Sequence, residues 1–168
     1  MICVDSITLL NIIKKHNLKI ATVESITGGA IINELTNIPG FSDTIYGGLI
    51  TYNMDAKNEL LSPVTIDVYS TEYSQKMCDD VFNKTSASIV LSITGHANST
   101  DKLSYEYYTT IAIRKDNAVL YEHGYVNTND HSIDKIDNPI KRRKMINKII
   151  VSSVLKKVLN FLTKIYDD

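Results

Sequence analysis

Between Ile20 and Gly29 the chain reads Ile-Ala-Thr-Val-Glu-Ser-Ile-Thr-Gly-Gly. A short β-branched run stops abruptly at a charge, two hydroxyls and two glycines, and a helix-like segment follows from Ala30 to Asn37. Few local structures accept that order: a strand ends, the chain turns tightly, and a helix begins. Such a turn gathers backbone N–H groups and a side-chain oxygen around one small volume. The geometry suits a bound anion, or a nucleophilic serine beside an oxyanion hole. It also suits an ordinary strand–helix turn with a capping residue, and short Gly/Ser motifs alone do not separate these readings.

The rest of the chain supplies the context. Asp5-Ser6 caps a first helix that carries Leu9, Leu10, Ile12 and Ile13 and stops at Lys14-Lys15-His16-Asn17. Lys19 to Val23 reads as a strand and Ala30 to Thr36 as a short helix closed by Pro39-Gly40. Tyr46 to Tyr52 reads as a second strand, with Gly47-Gly48 marking a bulge or a close approach. Asp55 to Leu61 forms two helical turns that Ser62-Pro63 ends. Ser70 caps a longer helix with Tyr73, Met77 and Val81 on one face, a core stripe. Ala87 to Thr94 is a buried strand ending at Thr94-Gly95, where a glycine lets backbone approach a ligand. Tyr107 to Arg114 and Ala118 to Val126 flank Lys115-Asp116-Asn117 as a hairpin. After a polar loop, Ile140 to Ile165 is a long amphipathic helix. Helices alternate with strands in the first half and a hairpin follows. This predicts an α/β fold, a three-layer α/β/α sandwich on a mixed sheet. Ligands in such folds sit outside the carboxyl ends of strands, where Glu24-Ser25 and Thr94-Gly95 both fall.

Length and charge narrow the function classes. With 168 residues, no repeat and no linker-like segment, one domain spanning 1–168 is expected. The net charge of −1 supplies no positive field for nucleic acid. The basic run Lys141-Arg142-Arg143-Lys144 lacks interleaved aromatics and reads as the solvated start of a helix. Cys3 and Cys78 form no metal-ligand spacing, so no metal is expected and reduced thiols are the simplest account. Neither a signal peptide nor a stretch of 18 apolar residues is read from the chain, so a cytoplasmic protein without membrane contact is expected.

In a second segment, Gly47-Gly48 is followed by Tyr52-Asn53 and Lys57. Tyr52 and Lys57 bracket a strand-to-helix junction, and a lysine on the first helical turn reaches back toward the strand end. Serine with a lysine base is a known nucleophile pair, although a single lysine is more often a solvated surface group. Three motifs now stand in order: Glu24-Ser25-Ile26-Thr27-Gly28-Gly29, then Gly47-Gly48 with Tyr52, Asn53 and Lys57, then Thr94-Gly95-His96-Ala97-Asn98-Ser99. Together they resemble the competence-damage-inducible (CinA) C-terminal domain family, also called nicotinamide-nucleotide amidase. Its pattern runs E-S-C-T-G-G, then G-G-x-x-x-Y-x-N-x-x-K, then T-G-I-A-G-P. The likeness extends over about residues 5–165.

The resemblance implies hydrolysis of the carboxamide of nicotinamide mononucleotide, giving nicotinic acid mononucleotide and ammonia, in pyridine nucleotide recycling. Ser25 is then the nucleophile, with Lys57 and Tyr52 as proton-transfer partners. Glu24, Ile26, Thr27, Gly28, Gly29, Asn53, Thr94 and Gly95 are the expected substrate-binding residues, with Glu24 either pairing with Lys57 or serving as a structural hydrogen-bond partner. Arg143, or its neighbour Arg142, matches a basic element before the last helix that binds the ligand phosphate. No cofactor is implied. The implied partner is a small pyridine mononucleotide, and a homodimer is expected. The third motif departs from the pattern: Asn98 replaces the second glycine, Ser99 replaces the proline, and three tyrosines follow. His96 stands where the family has isoleucine, and reads as an exposed loop residue or as a substrate contact. The alternative function is a catalytically impaired member that binds nucleotide or forms oligomers.

Overall fold

The computed structural model describes residues 4–97, 104–129 and 132–166. Five helices, α1 (Val4–Lys15), α2 (Ala30–Thr36), α3 (Met54–Leu60), α4 (Thr71–Lys84) and α5 (Pro139–Tyr166), accompany five strands. The strands are β1 (Ile20–Glu24), β2 (Ile45–Ile50), β3 (Ile89–Ala97), β4 (Ser104–Ile113) and β5 (Ala118–Asn127). They form one sheet in the order β2-β1-β3-β4-β5. β1 runs parallel to β2 and β3, and β4 and β5 are antiparallel. The three-layer α/β/α arrangement on a mixed sheet is thus the one the sequence pattern predicts.

The two faces follow from the two-residue period of the strands. Ile20, Ile89, Leu91, Ile93, Ile111 and Ile113 pack with α1, α2 and α5. Ala21, Val23, Val90 and Ala112 pack with Tyr73, Met77, Cys78 and Val81 of α4. Crossovers are right-handed, and the chain moves from β1 outward to β2, then back across β1 to β3. Opposite directions of travel put α2 and α4 on opposite faces. β1 is therefore the pivot, buried along its whole length, with its carboxyl end between those of two parallel neighbours. That is where open α/β sheets bind ligands.

Local signals behave as expected at most boundaries. Ser70 Oγ accepts from Tyr73 N at 3.1 Å and opens α4. Asn138 Oδ1 accepts from Ile140 N and Lys141 N at 2.9 and 3.1 Å, and Pro139 occupies the first helical position of α5. The hairpin turns through Asp116 and Asn117, both with φ in the left-handed region. Gly47-Gly48 combines a register shift beside Ile20 with a close approach: a Cβ on Gly48 would stand 3.0 Å from Thr22 Oγ1 and 3.1 Å from Ile32 Cγ1. The first boundary differs. α1 already starts at Val4, so Ser6 lies within its first turn rather than capping it, and it is fully buried. Asn98, Ser99, Lys102 and Cys3 fall outside the described residues. No helix among the described residues is long and apolar enough to cross a membrane.

Candidate active site

β1 delivers Glu24 and Ser25 to the sheet's carboxyl edge. The main chain there is tied on both sides: Ser25 N donates to Ile93 O at 2.9 Å, and Thr51 N donates to Glu24 O at 2.8 Å. The turn into α2 then uses left-handed φ values of 59° at Gly28 and 92° at Gly29, which only glycine adopts without strain. Glu24 organises this turn. Its carboxylate accepts from Thr22 Oγ1 (3.2 Å), Thr27 Oγ1 (2.7 Å), Gly29 N (3.1 Å), Ile31 N (3.1 Å) and Ile32 N (2.9 Å). The open N–H groups at the start of α2 are thereby filled by a side chain from the preceding strand. Glu24 makes no ion pair with Lys57 among the described residues. Of the two roles open for it, the observed contacts belong to the structural one.

Asn53 starts α3 by accepting from Ala56 N at 2.8 Å. Lys57 follows one turn later and reaches back beneath Ser25. Its Nζ lies 3.0 Å from Ser25 Oγ, 2.5 Å from Thr51 O and 3.3 Å from Tyr52 O. Lys57 is 3% exposed, and burial lowers its pKa from the ordinary lysine value. A neutral amine has two N–H donors and one lone pair. In its charged form Nζ donates to Ser25 Oγ and to both carbonyls; in its neutral form the two carbonyls take its N–H groups and the lone pair is left for the Ser25 hydroxyl proton. An alcohol held against an uncharged amine is the arrangement a serine nucleophile needs.

A cavity of about 590 Å³ opens over this pair. Ser25, Ile26, Tyr52, Asn53, Lys57, Gly95 and Arg143 line it, together with Met54, Val68, Tyr69 and His96. No carboxylate lines it among the described residues, so Arg143 gives it a cationic character. Arg143 donates to Ile26 O at 2.9 Å, and its guanidinium stands 5.4 Å from the centre of the Tyr105 ring. Arg142 is turned away and donates to Ile136 O at 2.8 and 3.1 Å. Of the two arginines, Arg143 is the one that lines the cavity.

Several expected binding residues stand behind the cavity instead. Thr27, Gly28 and Gly29 build the turn, and Thr94 Oγ1 donates to Val68 O at 2.7 Å. Gly95 lines the cavity, but the missing side chain serves the sheet: a Cβ there would come 2.2 Å from Glu106 O and 2.9 Å from Ile26 Cδ1. The phenol of Tyr52, 62% exposed, makes no hydrogen bond to Ser25 or Lys57. Its ring covers Gly28, and its main-chain carbonyl is what holds the lysine. His96 is not an exposed loop residue. It lies in β3, half-buried, with its ring 4.5 Å from that of Tyr69.

Two donors stay open beside the serine. Gly28 N, Gly29 N, Ala30 N, Ile31 N and Ile32 N all have acceptors, whereas the N–H groups of Ile26 and Thr27 have none among the described residues. The oxyanion donors expected after Ser25 therefore narrow to these two. The one described cysteine, Cys78, is buried under α4 and its thiol is pushed up to about 12, first by burial and then by Asp79. It is no competitor to Ser25 as a nucleophile. Tyr69 and Val68 carried no sequence signal, because the loop from α3 to α4 has no motif that aims it at Ser25.

Comparison with known proteins shows the family and the fold. The model of the CinA C-terminal domain matches residues 6–159. A CinA-like protein of Chloroherpeton thalassium is 42% identical over 91 residues, which is 51% of this chain and 22% of that protein. Alignments with the first curated relatives cover only 22–27% of their lengths. Among solved structures, the competence or damage-inducible protein of Enterobacter asburiae superposes with a TM-score of 0.70 at 18% identity, over 94% of this chain and 96% of that one. The competence/damage inducible protein of Agrobacterium tumefaciens gives 0.66 at 23%, over 95% and 98%. At these identities the structures speak for the fold. With the family model matching nearly the whole chain, the protein belongs to the CinA C-terminal domain family.

Proposed function

We propose that this chain is a serine–lysine amidase that hydrolyses the carboxamide of nicotinamide mononucleotide to nicotinic acid mononucleotide and ammonia. The observation that carries the proposal is the 3.0 Å contact between Lys57 Nζ and Ser25 Oγ, with both neighbouring carbonyls placed to take the amine's protons. Ser25 Oγ attacks the amide carbon while its proton passes to Lys57 Nζ. The oxygen of the tetrahedral intermediate is met by the N–H groups of Ile26 and Thr27; removing one such donor typically costs about 10²–10³ in rate. Lys57 then returns the proton to the leaving nitrogen, ammonia departs, and an ester to Ser25 remains. Water, deprotonated by the same amine, cleaves the ester and yields the acid.

Arg143 is the phosphate ligand in this reading, since it is the one guanidinium among the cavity's described residues and no carboxylate among them opposes it. Tyr69 and His96 offer an aromatic wall for the pyridine ring. The test is ammonia release and acid formation from nicotinamide mononucleotide by the purified protein. Turnover that disappears in Ser25→Ala supports the proposal. Absence of turnover, with the mononucleotide binding wild type and Ser25→Ala equally, would favour a nucleotide-binding protein that has lost catalysis.

A further inference from the structure

A second cavity, of about 340 Å³, lies between α1, α2 and α5 and shares no residue with the Ser25 cavity. Its wall holds two polar atoms that have no partner among the described residues. Ser6 is fully buried and its Oγ makes no hydrogen bond, and Asn147 Oδ1 is buried and equally unpaired. Ser6 stands in the first turn of α1. Buried polar groups without partners are rare because desolvation is then uncompensated, and a missing ligand is one reason they persist.

The charges point the same way. Lys144 and Lys148, one turn apart on α5, both line the cavity, and neither pairs with a carboxylate among the described residues. Glu34 lines the same space without touching either ammonium. Ala30, Val151 and Leu155 supply an apolar floor.

We propose that this cavity binds a small organic phosphate, with the phosphoryl group between Lys144 and Lys148 and a hydroxylated body reaching Ser6 and Asn147. Two ammonium groups suit a dianion. The volume exceeds what bare phosphate fills, and a hydroxyl beside an amide suits the hydroxyls of a sugar. Glu34 accepts from such a hydroxyl and repels a second phosphate. The site is independent of the amidase reading, because neither Ser25 nor Lys57 takes part.

Titration of the full chain with ribose 5-phosphate, followed by calorimetry and by the shift in Tm, tests the proposal. Saturable binding is expected in Arg143→Ala, where the Ser25 cavity has lost its phosphate ligand, and at least tenfold weaker binding when Lys144→Glu/Lys148→Glu is added to that variant. Ser6→Ala is expected to weaken binding while raising the Tm of the ligand-free protein, since it removes an unpaired buried hydroxyl. Inorganic phosphate is expected to bind more weakly than the sugar phosphate. Lack of saturable binding, unchanged binding in the double lysine variant, loss of binding in Arg143→Ala, equal affinity for inorganic phosphate, or a lower Tm in ligand-free Ser6→Ala would each overturn the assignment.

Discussion

Replacing Glu24 by alanine removes the acceptor of five hydrogen bonds at once. Three come from the backbone N–H groups of Gly29, Ile31 and Ile32, which no rotation can redirect. The other two come from the hydroxyls of Thr22 and Thr27, which can turn to other acceptors. A buried donor left without a partner costs about 1–3 kcal/mol, with some relief where the turn relaxes toward water. We expect Glu24→Ala to lose about 3–5 kcal/mol, or roughly 6–20 °C in Tm for a chain of this size. Glu24→Gln is the informative companion. With its amide nitrogen in place of Oε1, three bonds at Oε2 survive and the Thr22 hydroxyl can reverse, but the nitrogen then faces the Ile32 N–H. That single mismatch, with the lost charge, costs about 1–3 kcal/mol. Urea and thermal denaturation measure both variants, and ammonia release measures the displacement of Ser25. A Glu24→Ala protein within about 1 kcal/mol of wild type would refute the argument that this carboxylate builds the turn. If Glu24 instead acted on Lys57, the pH midpoint of kcat/KM would move in Glu24→Gln while the Tm barely changed.

Three further outcomes follow from the same geometry. Burial lowers the pKa of Lys57, so the folded protein binds fewer protons than the unfolded chain between the lowered value and about 10.4. Stability therefore rises with pH across that window, and kcat/KM rises to a plateau with its midpoint below the ordinary lysine value. Lys57→Met should lose the stability slope and at least about 10³ in kcat, as expected for a base and nucleophile acting as a unit; a midpoint at the ordinary value would count against a neutral amine. Gly95→Ala forces a Cβ to 2.2 Å from Glu106 O, a backbone atom of a paired strand. It should cost about 3 kcal/mol or more in denaturation, whereas Gly47→Ala, with nothing within 4 Å, should stay within about 0.5 kcal/mol. Arg143→Ala should raise KM for the mononucleotide about 10–100-fold and leave the slow turnover of phosphate-free nicotinamide unchanged; equal losses on both substrates would remove Arg143 from phosphate binding.

The sequence made the elements legible where local chemistry decides them. Ala30 to Thr36 was bounded to the residue, because two glycines precede that helix and its apolar period stops there. The Ser70 cap and the Asp116-Asn117 turn are decided within four residues as well. Reasoning failed where the deciding neighbour is distant in sequence. Gly95 looked like an opening for a ligand, yet the atom that excludes its Cβ belongs to Glu106 on the next strand. His96 looked like a loop residue because the strand was expected to end at Thr94, and β3 runs on to Ala97 along β4. Tyr52 drew attention for its phenol, whereas the structure uses its carbonyl, and no residue type announces what its main chain will hold.

Main-chain atoms likewise hold Ser25 and Lys57 against each other. Lys57 is fixed by Thr51 O and Tyr52 O, Ser25 by Ile93 O through its N–H, and the two open donors are main-chain N–H groups. These contacts depend on the path of the chain at three parallel strand ends rather than on side chains of the third motif. Ile93 precedes the third motif, and Thr94, the motif's first residue, donates to Val68 O rather than to either member of the pair. In the proposed reaction the proton path between one hydroxyl and one amine is thus set by the sheet, and the third strand enters it through the main-chain oxygen of Ile93.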